Sequence, residues 1–575
     1  MKNNLVIFLL LASFNLFAQT NWNVKQDTVF YGHNKGGEID TFDIHLLPTI
    51  SSLPMGSFGI GMQDIPSLSY FTNDPYLRNS SIYREGNSLV NTNLPHLGFF
   101  YSFGSKGTQV LKVDYQQAPD TNHLINVNVS RFSSLGIAAR NGFTDARVDA
   151  SHRFTGQRYY SQSKVYYATT SADLNGGVSD TATLDLFGYD FTPVNKNQAS
   201  VIQKNANVSF LQKFNFLGDS LLKKFGLYSN HSFDLQNREY LEVDSISQLY
   251  PFTYIDSFST RDQYQQNIFE NDLGIFIHSK SFSVSGAISQ KLFAFQNLGD
   301  RNSLSEVNLK SNVDINLNKF HFNSSSKFNL VNGQNYLHFK NNLGYVNNKH
   351  SLLVGVNYEN SIPDLLYRYY NSNNQTVSAL PLEKSTQTTL NLKHNFSIRD
   401  KVKFTTRFTY YKAENLLHWS NYNWKYGRQI NAISVNSKIH INFNQLKLMP
   451  EATYTEGIEY VPEWRIGGRI AWTKKVFEAK KMELLFAVDQ FYISEYSLLN
   501  YNPTFDNYFF PDVNLASGLN YQLSATFGFK IEEFRFFVRA ENIQSLFTDI
   551  KVQMVRDYYR SPLMLRFGLT WDFFN

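Results

Sequence analysis

Cysteine is absent from the 575-residue chain. That absence excludes a disulfide framework, a thiolate metal site, a cysteine nucleophile and a lipid-modified cysteine anchor. Charge is scarce as well: Asp, Glu, Lys and Arg make up 18% of the residues, against about 25% in an ordinary soluble domain. The excess of one sign is small, +5 at pH 7, so charge alone implies no polyanion surface and no nucleic-acid partner. Past the N-terminus no stretch approaches the roughly 18 continuous apolar residues of a helical membrane span. What the chain has in excess is aromatic side chains: 50 Phe, 35 Tyr and 6 Trp, or 16%. Its mean hydropathy is nevertheless −0.34. A chain poor in charge, rich in rings and polar on average must distribute its apolar residues in a special way.

The first 19 residues, MKNNLVIFLLLASFNLFAQ, read as an export signal: Lys2 supplies the positive start, Leu5 to Phe17 the apolar stretch, and Ala18-Gln19 the cleavage point. The following segment, 20–95, is irregular. It carries Pro48, Pro54, Pro66 and Pro75 and reads as periplasmic or plug-like. Its Gly56-Ser57-Phe58-Gly59-Ile60-Gly61 stretch lacks the strand-and-helix setting of a phosphate loop and reads as a turn.

From residue 96 to 575 the period is two. Val307, Leu309, Val313 and Ile315 interleave with Asn308, Lys310, Asn312 and Asp314. Ile433, Val435, Ile439 and Ile441 interleave with Ser434, Asn436, Lys438 and His440. Such alternation marks strands with one apolar and one polar face. Many alternating segments exceed the roughly 5–6 residues of soluble strands and match the 9–11 that cross a bilayer. Aromatics gather near segment ends, at Phe99 to Tyr101, Phe103, Tyr159, Tyr160, Tyr410, Tyr411, Trp419, Tyr422, Trp424, Phe509 and Phe510, where rings would meet both lipid and water. The pattern predicts an all-β protein: one large transmembrane antiparallel barrel of about 22 strands, within a range of 18–22. Walking back from the C-terminus, the connections 546–561, 494–516, 415–426, 361–385, 238–265, 172–204 and 132–146 fall outside. Tight links near 531, 477, 444, 400, 348, 318 and 280 fall in the periplasm. Long outside and short inside is the rule for bacterial barrels.

The chain ends in Arg566-Phe567-Gly568-Leu569-Thr570-Trp571-Asp572-Phe573. Gly568, Trp571 and Phe573 stand as in the C-terminal strand by which such barrels engage the barrel assembly machinery. Near the other end come Leu94 to Gln109 (LPHLGFFYSFGSKGTQ), Val110 to Gln117 (VLKVDYQQ), Ser134-Leu135-Gly136, Tyr166-Tyr167 and Leu174-Asn175-Gly176-Gly177-Val178. Together these pieces resemble the putative porin family of Bacteroidetes-type bacteria. Phe103 is bulkier than the family pattern, and Leu174 replaces its acid. The resemblance implies an outer-membrane barrel in contact with outer-membrane lipid, acting as a porin. It brings no catalytic residues.

The search for chemistry returns little. Thirteen His are scattered, with no HExxH; His394 and His440 lie on strands as polar-face residues. No GxSxG elbow or EF-hand loop occurs. Neither an enzyme nor a cofactor or metal site is expected. The informative distribution is basic: Lys403, Arg407, Lys438, Arg465, Arg469, Arg535, Arg539 and Arg566 fall on the apparent inward face of the C-terminal strands, where Asp489 and Glu541 are the plain acids. Inward charge sets pore selectivity, so the leading reading is a passive channel for small polar solutes that leans toward anions. The alternative is a non-conducting barrel serving as a structural or partner-binding component of an outer-membrane assembly. An active transporter would need a longer plug and an energy-coupling box ahead of the barrel.

Overall fold

The computed structural model describes Leu68, Phe71 and residues 95–574 apart from short internal segments. The export signal at 1–19 and the Gly56–Gly61 turn lie outside the described residues. The period-two segments form β1 His96–Gly104, β2 Thr108–Gln117, β3 His123–Ser134, β4 Phe143–Thr155, β5 Tyr159–Asp173, β6 Ala199–Asn215, β7 Lys223–Glu242 and β8 Thr260–Ser279. There follow β9 Phe282–Asn297, β10 Asp300–Leu317, β11 Phe320–Asn329, β12 Leu337–Val346, β13 His350–Ser361, β14 Ser385–Ile398 and β15 Val402–Ser420. The series ends with β16 Asn423–Phe443, β17 Leu446–Glu456, β18 Trp464–Val476, β19 Met482–Ile493, β20 Asn520–Ile531, β21 Phe534–Glu541 and β22 Met564–Phe574.

All join one 22-stranded sheet. Each strand pairs antiparallel with its sequence neighbours, and β1 pairs with β22 from His96↔Phe574 to Gly104↔Arg566. The sheet is thus a closed barrel, and closure leaves no unpaired edge to be hydrogen-bonded in lipid. No helix among the described residues is long and apolar enough to cross a membrane; the crossing is made by strands.

Register carries one parity around the ring. Phe103 faces Phe567 across the seam, Val148 pairs with Val129, Val208 with Val165, and Leu309 with Ile288. These residues share the outward, exposed face. Aromatic pairs knit that face: Tyr454 against Trp464 at 4.5 Å, Phe486 against Phe527 at 4.9 Å, and Trp571 against Phe573 at 4.6 Å. Links at one end are short, as at Lys280-Ser281, Asn318-Lys319, Asn444-Gln445 and Glu532-Glu533. The other end carries the long connections 174–198, 362–384, 494–519 and 542–563. This asymmetry marks the long-loop end as extracellular.

Two outer connections differ from expectation. The segment 415–426 is mostly strand, with β15 reaching Ser420 and β16 starting at Asn423. Likewise β7 and β8 are each 20 residues long and shorten the loop read at 238–265. Hydrogen-bonded ladders continue past the bilayer, where no lipid face is left to impose alternation.

The C-terminal strand has a packing logic of its own. Gly568 points inward, and a Cβ there would come 2.3 Å from the Phe537 ring and 3.0 Å from the Ser102 Cβ. Phe537 is itself fully buried. Gly568→Val must displace that ring, so a loss of about 1–3 kcal/mol is expected from overpacking, read as a lowered urea midpoint of the refolded barrel. Trp571 and Phe573 lie on the lipid face, with Phe534 edge-on to Trp571 at 5.7 Å.

Candidate functional site: the lumen wall and outer mouth

Parity places all eight basic residues singled out from the sequence on the inward face. Six of them lie in the wall among paired charges or buried. Arg469 stands opposite Asp489 in register and donates to both its oxygens, at 2.6 and 3.0 Å. Arg539 reaches the same carboxylate at 3.0 Å and also Glu541 at 2.9 Å and the Thr526 hydroxyl at 3.0 Å. Arg566 faces Arg539 in register and is 1% exposed. Arg535 pairs with Asp572 at 3.0 Å. Glu451 sits between Lys438 at 3.8 Å and Arg465 at 3.7 Å, and the Arg465 guanidinium lies over the Phe491 ring at 4.0 Å. Most of the positive charge read from the sequence is therefore matched by acids on neighbouring strands. Glu451 escaped the sequence reading because Pro450 interrupts its polar context.

Lys403 and Arg407 differ. Both are exposed, and among the described residues no carboxylate pairs with either. An exposed side chain on an inward face borders space that solvent can reach. Arg407 stands directly opposite Lys393 of β14, and Lys403 opposite His440 of β16. Lys393, Lys403, Arg407, Lys438 and His440 thus form one basic strip over three adjacent strands. Lys393 was not among the basic residues singled out from the sequence, although its parity against Leu392 identifies its face. Across the barrel, on β8–β10, charge is balanced: the Lys310 ammonium holds Glu270 at 2.5 Å and Asp272 at 2.9 Å.

The outer mouth is crossed by a loop. Arg238 of β7 donates to the Thr504 carbonyl at 2.6 Å. Thr504 belongs to the connection between β19 and β20, which lies nearly opposite β7 in strand order. The same connection contributes Asn507, whose amide donates to the Tyr367 hydroxyl at 3.0 Å. Beneath it an apolar cluster joins Tyr411, Leu416, Tyr460, Leu499, Tyr501 and Phe510, and includes Leu68 and Phe71 of the N-terminal segment. Tyr411, Phe510 and Trp424, read from sequence as interfacial rings, are buried in these mouth clusters instead. Their strands or loops extend beyond the bilayer, so the rings pack on one another rather than on lipid headgroups. Trp419 and Tyr422 lie outside the residues whose side chains are described.

Asn373, in the β13–β14 connection, organises the neighbouring segment 254–259. Its side-chain oxygen accepts from the backbone N–H groups of Ile255 and Asp256, both at 2.8 Å. Its amide nitrogen lies 2.6 Å from the Asp256 carbonyl and 3.1 Å from that of Ser259. The Phe258 N–H and the Ser259 hydroxyl hold the Asp256 carboxyl below the usual carboxylate range. Asn373→Ala removes the shared partner of this loop. The loop is expected to loosen by about 1–3 kcal/mol of local stability, seen as accelerated proteolysis at Phe252–Phe258 with the barrel intact.

Among the described residues no group of three or more His, Asp or Glu could hold a metal ion. No curated protein sequence matches the chain. Solved structures of similar fold include the siderophore receptor PirA from Acinetobacter baumannii, at 9% identity and a TM-score of 0.59, covering 85% of this chain and 81% of that one. The copper transporter OprC, at 8% identity and 0.60, covers 85% and 82%. The ferric-catecholate import receptor Fiu from K12 E. coli, at 11% and 0.57, covers 84% and 82%. At such low identity these likenesses carry the large-barrel fold alone. The family described as "Putative porin" matches residues 54–575. The chain therefore belongs to the putative porin family, as an outer-membrane β-barrel.

Proposed function

We propose that the protein is a passive channel for small polar solutes, with a preference for anions. The observation that supports this reading is the exposure of Lys403 and Arg407 on an inward face, beside Lys393 and with no described carboxylate in contact. Open lumen next to fixed positive charge lowers the electrostatic barrier for anions and raises it for cations. The loop spanning Thr504 and Asn507 narrows the outer mouth, which fits passage of small solutes rather than large ones. A second reading, a non-conducting barrel that binds a partner through its outer loops, draws on that same loop and on the clusters beneath it.

Purified protein in planar bilayers separates the two. Discrete conductance steps with a reversal potential on the anion side of a KCl gradient are expected. Steps with equal permeability for both ions remove the anion preference. Folded barrels that insert and never conduct remove the channel and favour the partner-binding reading.

A further inference from the structure

The outward face is apolar over most of the ring. On β18 and β19 it reads Trp464, Ile466, Ile470 and Trp472, then Phe486 and Val488, with only Gly468 and Gln490 between them. On β7–β9 the same face is interrupted. His231 pairs in register with Asn271, and Asn271 with Gln290, so three polar side chains lie side by side across three strands.

The row has apolar outward residues on both of its sides, one layer of them on the outer side of β8 before the polar outward residues Asn267 and Gln265 begin. On β7, Leu227 lies to its periplasmic side and Phe233 to its outer side; on β8, Leu273 and Phe269; on β9, Ile288 and Leu292. All six of these flanking residues are at least 40% exposed on the outward face, Leu227 at 50% and Ile288 at 58% among them. Lipid tails at this depth offer no hydrogen bond, and water is excluded. Among the described residues none of the three side chains has a hydrogen-bond partner. The nearby lipid-facing Ser311 and Ser326 solve the same problem internally, through a hydroxyl pair at 2.8 Å. The row on β7–β9 does not: the Asn271 Oδ1 is shielded, and the Asn271 amide nitrogen with the His231 and Gln290 side chains is left to a partner from outside the chain.

We propose that this face joins two copies of the chain side by side in the membrane. The chemistry of the row is what points to a second copy. Asn and Gln side chains each carry both donors and an acceptor, and neutral His carries one of each. Such a row is complementary to itself under a two-fold axis, where residue i meets j and j meets i. Polar side chains buried between membrane segments act as association points of this kind. The apolar residues that flank the row, Leu273 and Phe269 on β8 and Ile288 and Leu292 on β9, favour a second copy over a lipid headgroup as occupant.

The absence of cysteine makes the test direct. His231→Cys, Asn271→Cys and Gln290→Cys are introduced singly into full-length chains bearing two different tags and co-expressed in outer membranes. Val488→Cys, on the apolar face, is the control. Folding of each variant is checked by its heat-modifiable gel shift. A short thiol crosslinker is expected to give a covalent dimer carrying both tags from at least one of the three row positions and none from Val488→Cys. In the His231→Leu/Asn271→Leu/Gln290→Leu variant the solubilised dimer is expected to fall to monomer while the barrel stays folded. Failure of all three folded row variants to crosslink, or adducts that contain only one tag, would overturn the proposal. Conductance plays no part in this readout, so it stands or falls separately from the channel reading.

Discussion

Replacing Asp489 by Ala is expected to cost the barrel about 3 kcal/mol. The Asp489 carboxylate holds Arg469 through two hydrogen bonds and Arg539 through a third. The side chains are 12%, 11% and 6% exposed, so little water replaces the lost contact. Arg539 also faces Arg566 in register, a like-charge juxtaposition that is unfavourable by itself. Removing Asp489 takes the bidentate partner from Arg469 of β18 and one of the two carboxylates from Arg539 of β21, which keeps Glu541. Taking one partner from a buried ion pair costs about 3–5 kcal/mol. The surviving Glu541 contact and the water of the lumen place the effect at the low end of that range. Asp489→Asn keeps the shape and loses the charge, so it should lie close to Asp489→Ala. The contrast is Lys481→Ala, which breaks a pair with Glu532 that is 70% and 68% exposed at a periplasmic turn; exposed pairs contribute about 0–1 kcal/mol. Urea midpoints of the refolded barrels compare the three. An Asp489→Ala midpoint equal to that of Lys481→Ala would mean that the lumen wall is solvated like the surface.

The fold was largely legible because a membrane barrel writes its geometry into every second residue. Val307 to Ile315 and Ile433 to Ile441 announce strands, their faces and their length at once. Legibility falls where lipid stops. Pairing of β15 with β16 shifts register between Ala413 and Leu416 and again between Leu416 and His418. These bulges break the parity, and a hairpin reads as a loop at 415–426. The basic face was visible from parity, but its neutralisation was not. Arg539 meets Asp489 across an intervening strand, and Glu451 serves two cations at once, which needs register and not merely face. Contacts across the mouth, such as Arg238 to Thr504, join residues 266 positions apart. Nothing local in either sequence marks that contact.

On the proposed channel reading, reversing the sign of the basic strip is expected to reverse the ion preference. Lys393 and Arg407 are cross-strand neighbours of like charge, an arrangement that weakens a sheet by several tenths of a kcal/mol. Lys393→Glu turns that repulsion into an ion pair. This single variant should gain roughly 0.5 kcal/mol of stability and lose most of the anion preference, since Arg407 becomes paired. Adding Arg407→Glu restores the like-charge conflict with opposite sign. The double variant should therefore return to wild-type stability or slightly below, while its reversal potential moves to the cation side. Stability and selectivity thus change in different orders along the series, which separates an electrostatic filter from a merely folded or misfolded wall. Salt supplies the second axis. The screening length is about 10 Å at 0.1 M and about 3 Å at 1 M, so wild type and double variant should differ strongly in dilute KCl and converge in concentrated KCl. Reversal potentials that stay on the same side in both proteins at 0.1 M would place the selectivity outside the strip of Lys393, Lys403 and Arg407.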